Sequence, residues 1–253
     1  MTLDKLIPLL ALMGAASYFQ TVTGFGLGMI VIGVASGTNL APVASVAALV
    51  SVVTLANCSI ALPGKLHHVD WRAVGAATLG IVPSVIAGVA LLDYLSAAAS
   101  VMLHLLLGIV VLYGGISSAL RPAPLEQRSG NRGFFMSGVF GGLLSGMFGI
   151  SGPPLIYQFY RQPLSVTQIR CALIVLFGET AAIRTAFSAA AGQLNAAIWI
   201  QAAIALPVVS LATLAARHRP PPLSGVMTRR VAFAVLVIIG GQLVLTSVWR
   251  LVV

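Results

Sequence analysis

The sequence predicts an all-α integral membrane protein made of two inverted repeats, each a glycine-broken re-entrant helical hairpin plus three transmembrane helices. Three observations predict it. Of 253 residues, 58% are hydrophobic and only 8% charged, where a soluble domain carries roughly 25% charge. Apolar runs of membrane length recur along the whole chain. Landmarks of the first half recur in the second at nearly one spacing. The composition excludes a soluble globular enzyme, a disordered chain and a disulfide scaffold.

The elements follow in order. Segment 6–36 is long and interrupted by Gly24, Gly26 and Gly28. Ordinary spans follow at 41–62, 72–92 and 97–120. Segment 134–160 is again long, and Gly146, Gly149 and Gly152 interrupt it. Spans at 167–191, 196–215 and 231–253 complete the chain. The separators are short and carry Pro, Gly or charge, as at Pro63-Gly64-Lys65, Asp93, Arg161-Gln162-Pro163 and Arg217–Arg230. At 1.5 Å per residue, each broken segment halves into two helices of about 20 Å, enough to dip to mid-membrane and return.

Phe25-Gly26-Leu27-Gly28 recurs as Phe148-Gly149-Ile150-Ser151, an offset of 123. Pro83 matches Pro207 at 124, and Gly114-Gly115 matches Gly240-Gly241 at 126. The offsets divide the chain into repeats 1–126 and 127–253, as in many secondary transporters.

The net charge is +9, and its distribution sets the topology. If all eight segments crossed, seven basic residues would face one side and six the other. If the two broken segments re-enter, Lys65, Arg72, Arg121, Arg128, Arg132, Arg161, Arg170, Arg217, Arg219, Arg229 and Arg230 share one side. Only Lys5 and Arg250 face the other. Positive-inside selects the second arrangement. Each half then has three crossings, an odd number, so the halves insert in opposite orientation. The same rule accounts for the basic excess, and no nucleic-acid partner is expected.

Glycine lets the backbone turn and exposes its N–H groups. Ser151 or Gly152 followed by Pro153 is a favourable helix start. A helix that starts at mid-membrane points unpaired N–H groups and a positive dipole end inward, which suits an anion. The candidate substrate site is therefore Thr23, Gly24, Phe25 and Gly26 from the first break, with Gly149, Ser151 and Gly152 from the second. The bland alternative is close helix packing through small residues.

Phe148-Gly149-Ile150-Ser151-Gly152-Pro153-Pro154-Leu155-Ile156 resembles the second glycine–proline motif of the TauE/SafE family of membrane permeases. Thr23-Gly24-Phe25-Gly26-Leu27-Gly28 resembles its first motif, although no proline follows Gly28. Length, two-half layout and basic central linker match over essentially the whole chain. The resemblance implies transport of sulfur-containing anions such as sulfite, sulfoacetate or aromatic sulfonates like toluenesulfonate, in a bacterial inner membrane. It leaves the direction open.

Glu179 and Arg184 lie inside span 167–191, where a charge costs at least ~2.5–3.5 kcal/mol, so a function is the default reading. Arg184 suits a sulfonate because its planar fork matches oxyanions. Glu179 is a candidate for the coupling ion, or a partner for Arg184. Asn57, near the equivalent position of the first half, is a candidate site residue, as is Tyr157 after the second motif. His104 reads as structural.

Two other function classes stay open. One is a passive anion channel. The other is an intramembrane serine protease through Ser151, since Gly149-Ile150-Ser151-Gly152 matches G-x-S-G. That chemistry needs a histidine base, and no span after Ser151 contains one. No cofactor and no metal are implied. The expected partners are the lipid bilayer and a small sulfur oxyanion. A monomer and a homo-oligomer are both compatible with the sequence, as are proton and sodium coupling.

Overall fold

The structure is a computed structural model describing residues 3–38, 40–98, 100–119, 125–219, 234, 237–238 and 240–249. Most of the Arg217–Arg230 linker and ten residues of the expected last span lie outside these residues. The described chain is helical throughout. Its helices are α1 (Leu3–Thr23), α2 (Leu27–Gly37), α3 (Val43–Ala61), α4 (Trp71–Ala98), α5 (Ser100–Ala119), α6 (Asn131–Phe148), α7 (Gly152–Tyr160), α8 (Val166–Ala190) and α9 (Ala196–His218). Residues 240–249 are also helical. Helices α1, α3, α4, α8 and α9 are each long and apolar enough to cross a bilayer.

Both long segments break at the expected glycines, between α1 and α2 and between α6 and α7. The halves are unequal, however: 21 and 11 residues in the first, 18 and 9 in the second. The expected linker at Asp93 is also displaced. No Pro or Gly lies between Val89 and Ala98, so α4 continues through Asp93, whose carboxylate accepts a hydrogen bond from Gln193. Elsewhere local chemistry sets the ends. Asp70 Oδ1 accepts from the N–H groups of Arg72 and Ala73 and starts α4. Ser165 and Gln168 form a capping box on α8, and Asn195 caps α9.

Small residues bring helices α4 and α6 into close contact. A Cβ added at Gly80, Gly88, Gly138, Gly142 or Gly146 would fall within 3 Å of the partner backbone. The contacts advance together, from Ala77 against Gly138 to Val85 against Gly146, so α4 and α6 run parallel. Other contacts fix further directions. Ser51–Arg184 and Cys58–Gly178 make α3 and α8 antiparallel. Asn57–Thr213 and Ile60–Arg217 make α3 and α9 parallel. Thr78–Glu179 and Asp93–Gln193 make α4 and α8 parallel.

The two ends of the second broken segment meet. Leu125 N–H donates to the Arg161 carbonyl at 2.8 Å. Ser129 N–H donates to Gln162 Oε1 at 2.8 Å, and Gln162 Nε2 donates to Ser129 Oγ at 3.0 Å. The chain therefore leaves α7 beside the point where it entered α6.

Candidate functional site

The breaks between α1 and α2 and between α6 and α7 come face to face. A Cβ on Gly28 would lie 2.5 Å from the Gly149 carbonyl oxygen, so the two backbones touch. Beside this contact is a cavity of about 20 Å³, room for about one water. Gln20, Gly26, Gly28 and Met29 line it from the first half-segment pair, and Ser145, Gly149, Ile150, Ser151 and Gly152 from the second. The middles of two spans close the sides: Ser51 and Thr54 of α3, and Phe177, Thr180 and Ala181 of α8.

The first break takes its shape from Gly24 and Gly26, at φ 90° and 110°, a region that other residues rarely adopt. Thr23 Oγ1 lies 2.9 Å from both the Phe19 and Phe25 carbonyl oxygens and pins the turn. Gln20 reaches forward, its Oε1 accepting from Leu27 N–H at 3.1 Å. That bond satisfies one of the orphan donors at the start of α2. The Gln20 Nε2 donates to Asn57 Oδ1 at 3.0 Å. The N–H groups of Gly28 and Met29, also in the first turn of α2, have no acceptor within the helix.

The second break turns at Gly149, φ 67°, whose N–H closes α6 on the Ser145 carbonyl. Pro153 and Pro154 begin α7 and carry no N–H. Ser151 Oγ lies 3.3 Å from Thr180 Oγ1, and Thr180 donates its own proton to the Phe177 carbonyl. Ser151 is thus the donor of that pair.

Arg184 lies behind Ser51. The residue is only 2% exposed. Nε donates to the Gly146 carbonyl and Nη1 to Ser51 Oγ, both at 2.9 Å. The first bond caps the end of α6, where helix carbonyls lack partners. Among the described residues no carboxylate is within ion-pair distance of Arg184. A buried positive charge thus stands one hydroxyl away from the cavity. Thr54 adds a buried Oγ1 without a partner among the described residues.

The family model described as sulfite exporter TauE/SafE matches residues 9–243. The chain belongs to this family. It is 64% identical, over 98% of both chains, to the "probable sulfite/organosulfonate exporter TauE" of Cupriavidus necator. It is 31% identical, over 74% of this chain and 77% of the relative, to the "probable inner membrane transporter protein TsaS" of Comamonas testosteroni. No solved structure matches it. As a TauE/SafE protein the chain is a membrane transporter and not an enzyme.

Within this TauE/SafE fold the expected residues divide into groups. Gly26, Gly149, Ser151 and Gly152 line the cavity. Thr23 shapes the turn, and Gly24 passes against Arg170, where a Cβ would meet Arg170 Cγ at 2.6 Å. Phe25 is buried between the rings of Phe19 and Tyr160. Asn57 is fully buried and ties α1, α3 and α9 through Gln20, Thr21 and Thr213. Glu179 faces α4, where it accepts from Thr78 at 2.7 Å, and makes no pair with Arg184. Tyr157 is 40% exposed, beneath Arg161, away from the cavity.

Gln20, Ser51, Thr54 and Thr180 escaped the sequence reading. Two signals pointed to the last three. Ser51, Thr54 and Asn57 recur every three residues along an otherwise apolar span. Thr180, moreover, stands 123 residues after Asn57, the offset of the two breaks.

Proposed function

We propose that the protein is an inner-membrane secondary transporter that exports a sulfur oxyanion, sulfite or an organosulfonate, by alternating access at the cavity between the two breaks. One observation carries the reading: two glycine breaks 123 residues apart in sequence line one cavity beside an arginine with no carboxylate in ion-pair distance among the described residues. The names of the two relatives support the substrate class, the membrane and the direction.

The chemistry suits a tetrahedral or pyramidal oxyanion. Oxygens accept from the Gly28 and Met29 N–H groups, from the Thr54 hydroxyl and from the second break. The positive end of α2 and the Arg184 charge favour an anion over a neutral solute. Glu179 is the proposed coupling group on the α4–α8 contact. At about 20 Å³ the cavity is too small for the anion. Loading requires the two breaks to separate, which is a gate in the sense of alternating access.

The proposal includes the inverted repeat, 1–126 against 127–253. Its support is the packing. Pairing α1 with α6, α3 with α8 and α4 with α9 turns the α1–α9 contact into α6–α4 and the α3–α9 contact into α8–α4, and all four are present. The antiparallel α3 and α8 require an odd number of reversals between them, as a re-entrant α6–α7 gives and a single crossing there would not. With the native Cys58 and Cys171 buried, single cysteines at the exposed Gln127 and Pro163, which flank the Ser129–Gln162 contact, are expected to react from the cytoplasmic side. Reaction from opposite faces sinks the repeat.

The substrate test is binding to purified protein. Sulfite, sulfoacetate, taurine and toluenesulfonate are compared with acetate of equal concentration. Saturable binding of one sulfur oxyanion, in preference to acetate, is the expected result. Binding of acetate alone overturns the substrate class. Accumulation of the bound anion against its gradient in vesicles then separates a transporter from a passive channel.

A further inference from the structure

The first turns of α4 and α6 lie side by side, because the two helices run parallel. Between them is an open groove of about 400 Å³. Arg72 and Arg132, each the second residue of its helix, stand at one end. Trp71 and Phe135 wall the groove, and Leu79, two turns further in, continues it as an apolar surface. Trp71 is 56% exposed and Leu79 71%.

Both guanidiniums are exposed, and neither has a hydrogen bond or ion pair among the described residues. The neighbouring carboxylate is Asp70. Its charge is engaged by Arg128 Nε at 3.1 Å and by the N–H groups of Arg72 and Ala73. The groove end therefore carries two uncompensated positive charges, reinforced by two helix N-termini. The charge distribution assigns this end to the cytoplasmic face.

We infer that the groove binds an anionic phospholipid. Its phosphate sits between Arg72 and Arg132, and an acyl chain runs along Phe135 and Leu79. A zwitterionic lipid offers the same chain, but its headgroup cation is repelled by the arginine pair. A basic notch above an apolar cleft between helices is a lipid-recognition arrangement. Seated there, the lipid bridges α4 and α6 from the outside.

The inference is independent of the substrate. The full chain is reconstituted in nanodiscs of equal parts phosphatidylcholine and phosphatidylglycerol, and retained lipids are read by native mass spectrometry. Wild type is expected to retain phosphatidylglycerol in preference. Arg72→Gln and Arg132→Gln should each lower that preference about fivefold, from the surface attraction of one basic residue. Gly75→Leu supplies a test that keeps both charges. A Cβ at Gly75 meets nothing within 4 Å, so the side chain fits and occupies the groove. It should reduce the number of retained lipids. Retention in the bulk ratio by wild type overturns the inference, as does unchanged phosphatidylglycerol retention in Gly75→Leu. Binding of the sulfur oxyanion should be the same in all three variants.

Discussion

The first break, at 24–26, is held by side chains, whereas the second, at 149–151, is held by prolines and by groups on other helices. In the first, Gln20 and Thr23 reach into the turn from α1, and two glycines take left-handed conformations. In the second, one glycine turns, Pro153 and Pro154 fix the outgoing helix, and Ser151 leans on Thr180. The difference divides the labour at the cavity. Helix α2 has backbone donors at Gly28 and Met29 without an acceptor among the described residues. Helix α7, with two prolines in its first turn, has few, and its side of the cavity depends on hydroxyls. The positive charge, Arg184, stands on the donor-poor side, capping α6. One break supplies oriented N–H groups and the other supplies charge and hydroxyls.

The largest effect is expected where the breaks touch. Gly28→Ala places a methyl 2.5 Å from the Gly149 carbonyl, and backbone on backbone has no easy way to yield. A cost of about 1–3 kcal/mol is expected for such overpacking, together with loss of anion binding. Gly152→Ala is the control. Its Cβ would meet Met29 Cε and Ile156 Cδ1 at 3.1 Å, both ends of flexible side chains, so its thermal midpoint should fall much less. If the Gly152 variant is the more damaged of the two, the breaks do not meet as described.

The second effect tests the charged side. Arg184→Gln keeps a donor near Gly146 or Ser51 but removes the charge. At an effective dielectric of about 20, a charge roughly 7 Å from the anion is worth about 2 kcal/mol, so affinity for the anion should drop by about ten- to a hundredfold. Arg184→Lys, which keeps the charge without the fork, should fall between. Equal affinity in Arg184→Gln and wild type, measured by titration, would leave Arg184 as a helix cap alone.

The first break is tested from its side-chain anchor. Gln20→Leu leaves Leu27 N–H and one bond of Asn57 unmet. A stability loss of about 1–3 kcal/mol follows for a buried unsatisfied group, with a smaller change in affinity than Arg184→Gln gives. A variant that keeps its midpoint but loses binding would move Gln20 from scaffold to ligand.

The breaks, most helix ends and the charge distribution were legible because each is local. Gly and Pro act on their own φ angles, capping acts within a turn, and basic residues in short loops act through the membrane. The family was legible from the same motifs. The cavity lining was less so, because it depends on helix rotation, which tertiary packing sets. Glu179 and Thr180 are neighbours in sequence, yet about 100° apart around α8. Glu179 therefore meets Thr78 of α4 while Thr180 faces the cavity. Arg184 was expected to attract the substrate or to pair with Glu179, and its guanidinium reaches α3 and α6 instead of Glu179. Tyr157 follows the second motif directly, and α7 turns it outward all the same.

The smallest expected effects come from two hydroxyls, and they separate site from scaffold. Ser151 already donates to Thr180, so Ser151→Ala removes a protein bond and should lower stability and affinity together, each by about 0.5–1.5 kcal/mol. Thr54 differs: its buried Oγ1 has no partner among the described residues and stands in the cavity wall. Thr54→Val keeps the shape and removes only the hydroxyl. An unsatisfied buried hydroxyl contributes nothing to the empty fold, so the thermal midpoint should hold or rise. Loss of one bond to the anion should weaken binding by about two- to tenfold. A fall in midpoint without loaded anion would mean the hydroxyl serves the fold. Unchanged affinity in a folded Thr54→Val protein would place the anion outside the cavity between the breaks.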